Sequence, residues 1–456
     1  MWSFIPFLTC VVLPSWRFDA EERPSLSGPE QVVSSATGLF DIHYTTEGDD
    51  AVEAPPDGGL PEAVTWALEG LQLGEETFRN RGYRDLIGDQ GTAGSDAIDV
   101  YIKDIDANGY ANAVDTDDGS SCYIRLDNGL GIDGVMQSVA IHELHHCVQY
   151  RYTTLADAWI YEATATYEQY LTYLDENLEL AVIVLYSRRL GDPQLPMDWT
   201  DGEFEYAGLI ALQFWEQFRG TDARRVPSLW DTLSSTPSWR DALDLDAERW
   251  WGLSWDQTFL EYATWNAFAC ANNDGSSYDE TALPCNAFVG LVPDTLDWSG
   301  DTATARVKLP DPSHSAAYWS LSDDEPLLDV AVRCEAPRLA KSALSARLVA
   351  IDAQGHRVSH ADTNPKDEVP TLRLPGPRTS GGALQLIVAN TGNGPLNLRC
   401  TLTQTPASPS GPRTCGCDMA ARPVTAWVLA PLFMLLRRRR EGRLPDTTNS
   451  SRSSAR

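Results

Sequence analysis

Basic residues are the first shortage in this sequence. Lysine and arginine number 35 against 65 aspartates and glutamates, a formal net charge of −30. Phosphate binding needs clustered cations, so the balance argues against a nucleic-acid partner. The acid is spread along the chain, as a solvated surface requires. No CxxC and no Cys/His finger spacing occurs, which argues against a structural zinc site. The apolar run Val424 to Leu436 falls short of the about 20 residues that a helix needs to cross a bilayer. Histidine is also scarce, with seven in 456 residues, so any clustering of it carries information. The remainder is ordinary: 43% hydrophobic and 9% aromatic residues, a globular composition long enough for two folded domains and terminal tails.

The cysteines sort by position. Cys10 lies in an N-terminal stretch, residues 1–18, whose apolar run has signal-peptide length but no basic flank. Cys415 and Cys417 lie in the tail. The six between them suggest three local pairs, Cys122 with Cys147, Cys270 with Cys285, and Cys334 with Cys400. An even number in an exported chain points to an oxidising compartment.

Residues 19–37 read as an acidic linker or propeptide. Strand-like alternation follows at 38–44, 98–102 and 122–126, with helical spacing from Pro61 to Gly82, from about Gly134 to Tyr150 with Asp133 as its cap, from Ala158 to Leu174, and from Tyr206 to Phe218. That order predicts an α+β domain over 38–300. From 301 to 404, short alternating segments split by Pro, Gly, Asp and Asn predict a small all-β sandwich. Residues 405–414 form a Pro/Ser-rich linker.

One histidine cluster carries chemistry. His142-Glu143-Leu144-His145-His146 is an HExxH, and on a helix positions i and i+4 share a face, so both imidazoles can reach one ion. Imidazole and carboxylate ligands with an open position suit Zn²⁺, and Glu143 is near enough to act as base. His145 cannot share the geometry of its neighbours and reads as packed. Sixteen residues after His146, Glu162 on the next helix supplies the third ligand. Glu168 is the rival; helical geometry favours Glu162. Thr166, one turn beyond Glu162, is either an outer partner of a ligand histidine or a small packing residue.

The string Trp159-Ile160-Tyr161-Glu162-Ala163-Thr164-Ala165 resembles the W-x-x-E-[GA]-x-A signature of gluzincins and peptidase MA-like enzymes. That resemblance implies a zincin-like metalloprotease domain with metal ligands His142, His146 and Glu162. Asp99-Val100-Tyr101, the HExxH, the Trp159 string and Phe259 to Asn266 also occur in the order found in a myxobacterial family of metalloproteases assigned by motif. The resemblance further implies that the strand Tyr123 to Leu126 edges the cleft and pairs with an extended peptide. A tyrosine-led helix after the third ligand makes Tyr206 a candidate oxyanion donor, with a core tyrosine equally open.

The tail 415–456 resembles a MYXO-CTERM sorting tail: Cys415-Gly416-Cys417, a short hydrophobic helix, then Arg437 to Arg440. It implies export, a transient membrane anchor, processing by a sorting protease near Cys415 and Cys417, and a place at the cell surface, in the outer envelope or in the medium. A plain C-terminal anchor is the other reading.

A second ion, Ca²⁺, fits the oxygen spacing from Asp104 to Asp115, with Gly109 at the turn position. An Asp/Asn/Gly-rich turn explains the same residues more simply. The sequence therefore predicts an exported zinc-dependent endopeptidase that hydrolyses peptide or protein substrates with a zinc-activated water. The alternative is a cell-surface binding or adhesive protein with a vestigial or structural metal site.

Overall fold

The structure is a computed structural model. It describes residues 23–405 apart from 93, 131–133, 174–175, 237, 280–290, 310–313, 323–328, 336–343, 364–370, 375–381 and 393. The leader, the sorting-tail motif, Cys285 and the Asp133 cap fall outside the described residues. Among those residues no helix is long and apolar enough to cross a membrane.

The fold mixes α and β. Strands β1 (Gln31–Ser34), β2 (Phe40–Tyr44), β3 (Ile98–Lys103), β4 (Gly109–Thr116) and β5 (Gly119–Asp127) form one sheet in the order β1-β2-β3-β5-β4. β2, β3 and β5 run parallel, and β4 returns antiparallel along β5. Alternation sets the two faces: Phe40, Ile42, Ile98, Val100, Ile124 and Leu126 enter the core. The opposite face is polar, with His43 held between Glu30 at 2.6 Å and Asp99 at 3.0 Å. The sheet begins before residue 38. β1 belongs to it, and the coil before β1 packs on its polar face, where the Arg23 guanidinium lies over the Tyr123 ring at 4.5 Å.

On the core face lie α1 (Glu62–Arg81), α2 (Val135–Tyr150) and α3 (Ala158–Thr172). All sixteen residues of α2 are buried. A helix enclosed on every side is a core element rather than an amphipathic surface one. α1 comes close because Gly70 and Gly74 present no side chain: a Cβ on Gly70 would lie 2.5 Å from the Gln137 carbonyl oxygen. α4 (Glu176–Gly191), α5 (Leu209–Gln217), α6 (Arg225–Leu233), α7 (Trp239–Trp251) and α8 (Trp255–Ala267) complete this part. Tyr206–Gly208 form a 3₁₀ turn before α5, which interrupts the single helix that the spacing suggested.

The remaining strands are β6 (Asp294–Thr295), β7 (Thr302–Leu309), β8 (Ser315–Ser322), β9 (Asp329–Glu335), β10 (Leu344–Ile351), β11 (Arg357–Asp362), β12 (Thr371–Leu374), β13 (Ala383–Asn390) and β14 (Leu396–Thr405). They make two sheets, β11-β10-β13-β8-β6 and β12-β9-β14-β7. The facing sides share one apolar core that includes Ala305, Trp319, Val332, Leu348, Leu386 and Leu402, as in a sandwich. The sandwich is not a loose appendage. Tyr318, Val349 and Ile387 belong to the helical core. Buried Arg347 donates two hydrogen bonds to Glu261 of α8, at 2.8 and 2.9 Å, while its Nε and Nη2 hold Asp362.

Among the described residues, two of the expected disulfides are seen. Cys334–Cys400 joins β9 to β14, and Cys122–Cys147 joins β5 to α2. The second closes a loop with a sequence separation of 25. Loop-closure entropy for that length stabilises by about 3 kcal/mol. A Cys122→Ala/Cys147→Ala variant should lose about that amount in urea denaturation, with an m-value no lower than wild type because the unfolded chain is less constrained. No loss would mean that packing alone holds the helix to the sheet.

Candidate metal centre

α2 and α3 cross so that one face of each meets the other. His142 and His146, one turn apart on α2, turn their Nε2 atoms towards Glu162 of α3. The distances to Glu162 Oε2 are 3.2 Å from His142 and 3.6 Å from His146. All three side chains are buried, and one ligand atom from each lies within 4.8 Å of the others. Among the described residues this is the one group of three such side chains placed to hold a metal ion.

The outer nitrogens are fixed by two glutamines. His146 Nδ1 lies 2.7 Å from Gln149 Oε1, and His142 Nδ1 lies 3.2 Å from Gln169 Oε1. Each amide spends its own donors elsewhere. Gln149 Nε2 donates to the Tyr161 carbonyl and to Thr164 Oγ1, and Gln169 Nε2 donates to the carbonyl and hydroxyl of Ser138. The amide oxygens therefore face the imidazoles, each Nδ1 carries a proton, and each Nε2 faces the Glu162 carboxylate. A proton held at Nδ1 leaves Nε2 as the nitrogen that can give up its proton to hold an ion. Two imidazole nitrogens and a carboxylate oxygen, pre-oriented in a buried site, suit a divalent cation.

Burial works against a charged His146, but the Glu162 carboxylate outweighs it and pushes the imidazole up to about 9. Burial would raise Glu162, yet His146 and His142 hold it well below the usual carboxylate range. Glu143, adjacent on α2, is raised: burial dominates, the two imidazoles oppose it, and Glu162 adds to it.

Glu168 is not at this centre. It lies in the interior beside α1, where Arg81 Nε approaches Oε2 to 2.7 Å and the Tyr83 hydroxyl donates to Oε1 at 2.7 Å. Thr166 has no ligand histidine as partner either. Its hydroxyl donates to the Glu162 carbonyl at 2.7 Å, one turn back on the same helix. Gln149 and Gln169 take the role instead. Each is a polar residue on a buried helix, which is the sequence signal that could have found them. His145 is packed as expected, edge-on to Phe78 and Tyr83. Burial, then the charges of His146 and His142, keep it neutral.

Tyr206 does reach the site, its ring centre 6.0 Å from that of His142. The 3₁₀ turn brings it there by packing tightly on α3: a Cβ on Gly208 would lie 2.8 Å from the Ala163 Cβ.

Two expectations about the sheet are overturned. β5, with Tyr123 to Leu126, is paired on both sides and cannot edge a cleft. The sheet order puts β4 at the edge. The calcium loop is also absent, because Gly109–Thr116 is that strand. Its oxygens go separate ways: Asp106 accepts from the Tyr110 hydroxyl, Asn112 from Arg125, and Asp115 from Ser120. Extended backbone separates ligands that a calcium loop must converge.

No protein-family model and no curated protein matches this chain. Among solved structures, a 4-O-methyl-alpha-glucuronidase with specificity for decorated arabinogalactans matches at 10% identity and a TM-score of 0.15, over 59% of this chain and 38% of that one. Likeness at that level assigns neither fold nor chemistry.

Glu162→Ala should abolish stoichiometric metal in elemental analysis. Glu168→Ala should keep its metal but lose stability, by less than the about 3–5 kcal/mol of a fully unpaired buried charge, because Arg81 keeps Glu216 as a partner. Gln149→Ala should weaken metal affinity by about 10–100-fold, as loss of an orienting partner does. The reverse order of metal loss at Glu162 and Glu168 would overturn the ligand assignment.

Proposed function

We propose that this chain is a zinc-dependent endopeptidase. The observation that carries the reading is the convergence of His142, His146 and Glu162 in one buried group, with Glu143, a second carboxyl not used as a ligand, on the same helix. A purely structural metal site has no use for that extra acid. The zincin-like reading of the domain rests on this constellation beside the antiparallel edge strand β4.

His142, His146 and Glu162 would hold the ion, which supplies Lewis acidity: it polarises a carbonyl and makes water easier to deprotonate. The chain does the rest. Glu143 takes a proton from the attacking water and returns it to the leaving amine. Its carboxyl is suited to both steps because burial raises it from its ordinary value. Gln149 and Gln169 keep the imidazoles aligned through the reaction. Tyr206, beside His142, donates to the oxyanion that develops on the carbonyl. An extended substrate pairs with β4, whose outer edge no strand of the sheet covers, so that main-chain hydrogen bonds supply affinity. Export, processing near Cys415 and Cys417, and a place at the cell surface belong to the same proposal. The resemblance of the tail and the disulfides at Cys122–Cys147 and Cys334–Cys400 support them.

The test is cleavage of a broad quenched-peptide library by the zinc-loaded protein. Glu143→Gln should lower kcat by at least about 10²-fold with zinc retained. Tyr206→Phe should lower kcat by about 10²-fold with little change in KM, as loss of an oxyanion donor does. Zinc-loaded, folded protein that cleaves nothing in the library would favour the cell-surface binding reading.

A further inference from the structure

Gly109 poses a problem that the backbone does not answer. It sits at the start of β4, where glycine weakens a strand because it loses more chain entropy on folding than any other residue. Gly134 and Gly119, at 83° and 114°, have a φ that side chains avoid; Gly109 is not among the positive-φ residues. No turn or left-handed conformation requires a glycine here. At a paired strand residue, the remaining reason for one is the close approach of another group.

That group is Glu143. A Cβ on Gly109 would lie 2.7 Å from Glu143 Cγ, 2.9 Å from Oε1 and 3.0 Å from Cδ. Contacts that short force something to move. Yielding is not confined to the tip of a flexible chain, because Cγ is the nearest atom and Glu143 is only 3% exposed. The strand itself is held: β4 pairs with β5 from Gly109 to Thr116, the Asn108 carbonyl accepts from Asp127, and the Ala111 carbonyl accepts from Tyr150 of α2. β5 is in turn joined to α2 by Cys122–Cys147. With strand and helix both fixed, the carboxylate is what a methyl group would displace.

We infer that Gly109 is a positioning residue for Glu143. The missing side chain lets the edge strand close over the carboxylate and hold it beside the two imidazoles. The inference rests on the reading of Glu143 as the base, but the contact itself can be tested without any substrate.

The first experiment is a thermal-melting cycle on the metal-free full-length protein: wild type, Gly109→Ala, Glu143→Ala and the double variant. Gly109→Ala should lower Tm by several degrees in the wild type and leave it unchanged in the Glu143→Ala background. Equal losses in both backgrounds would overturn the inference, because the strand rather than the carboxylate would then demand glycine. If Gly109→Ala alone fails to fold, a folded double variant supports the contact and an unfolded one refutes it. The second experiment is peptide cleavage with zinc content measured alongside. Displacement of a catalytic group by about 1 Å costs about 10²-fold, so Gly109→Ala should lose that factor in kcat with zinc retained and KM little changed. Shortening the base should offset the added methyl: Gly109→Ala/Glu143→Asp should be at least as active as Gly109→Ala. A double variant that multiplies the two single losses would count against positioning. A silent library with an intact melting cycle would remove the peptidase reading and keep the contact.

Discussion

A carboxylate buried between two imidazoles sets the terms for the rest of this molecule. Glu162 gives up water to sit between α2 and α3, at a desolvation cost of several kcal/mol for an ion without a partner. His142 and His146 offset that cost only if both nitrogens of each ring are assigned. Gln149 and Gln169 make the assignment, and their own donors are spent on carbonyls and hydroxyls of the two helices. The chain of constraint therefore runs from carboxylate to imidazole to amide to backbone. A helix pair that carries such a network has little freedom to slide, which fits the complete enclosure of α2.

The other carboxylate of α3 follows the same rule with different means. Glu168 points to α1 rather than α2, and Arg81 with Tyr83 answers its charge. Arg81 also reaches Glu216 at 2.6 Å, so one guanidinium ties α1 to α3 and to α5. One helix thus carries two buried acids on different faces. The first is balanced by groups that can release it to a cation, the second by a group that cannot. That contrast separates a binding site from a structural ion pair more clearly than burial does.

Much of the centre was legible because helical periodicity is local. His142, Glu143 and His146 share a turn, and Glu162 and Glu168 could be told apart by their positions around one helix. Gln149 and Gln169 were not legible, because their partners depend on how two helices cross. The sheet was legible in its hydrophobic members and not in its edge. Ile98 to Ile102 alternates plainly, whereas β4 carries Gly109, Asn112 and Asp115, residues that favour turns when read singly. Pairing with β5 overrode that preference. Strand order is a property of the whole sheet, so β5 read as the rim until its second neighbour was seen. In the sandwich, Leu396, Leu398, Cys400 and Leu402 alternate as clearly as the strands that were expected, and period-two spacing alone could have located β14.

The staple between β9 and β14 has a mechanical meaning. Cys334 and Cys400 lie directly opposite each other in the ladder. Tension entering the chain at Thr405 loads β14 along its length, against the hydrogen bonds of both neighbouring strands. Those bonds would share the load in shear, and behind them stands a covalent link five residues from the end of the strand. A pull on the C-terminal end of β14 therefore halts at Cys400.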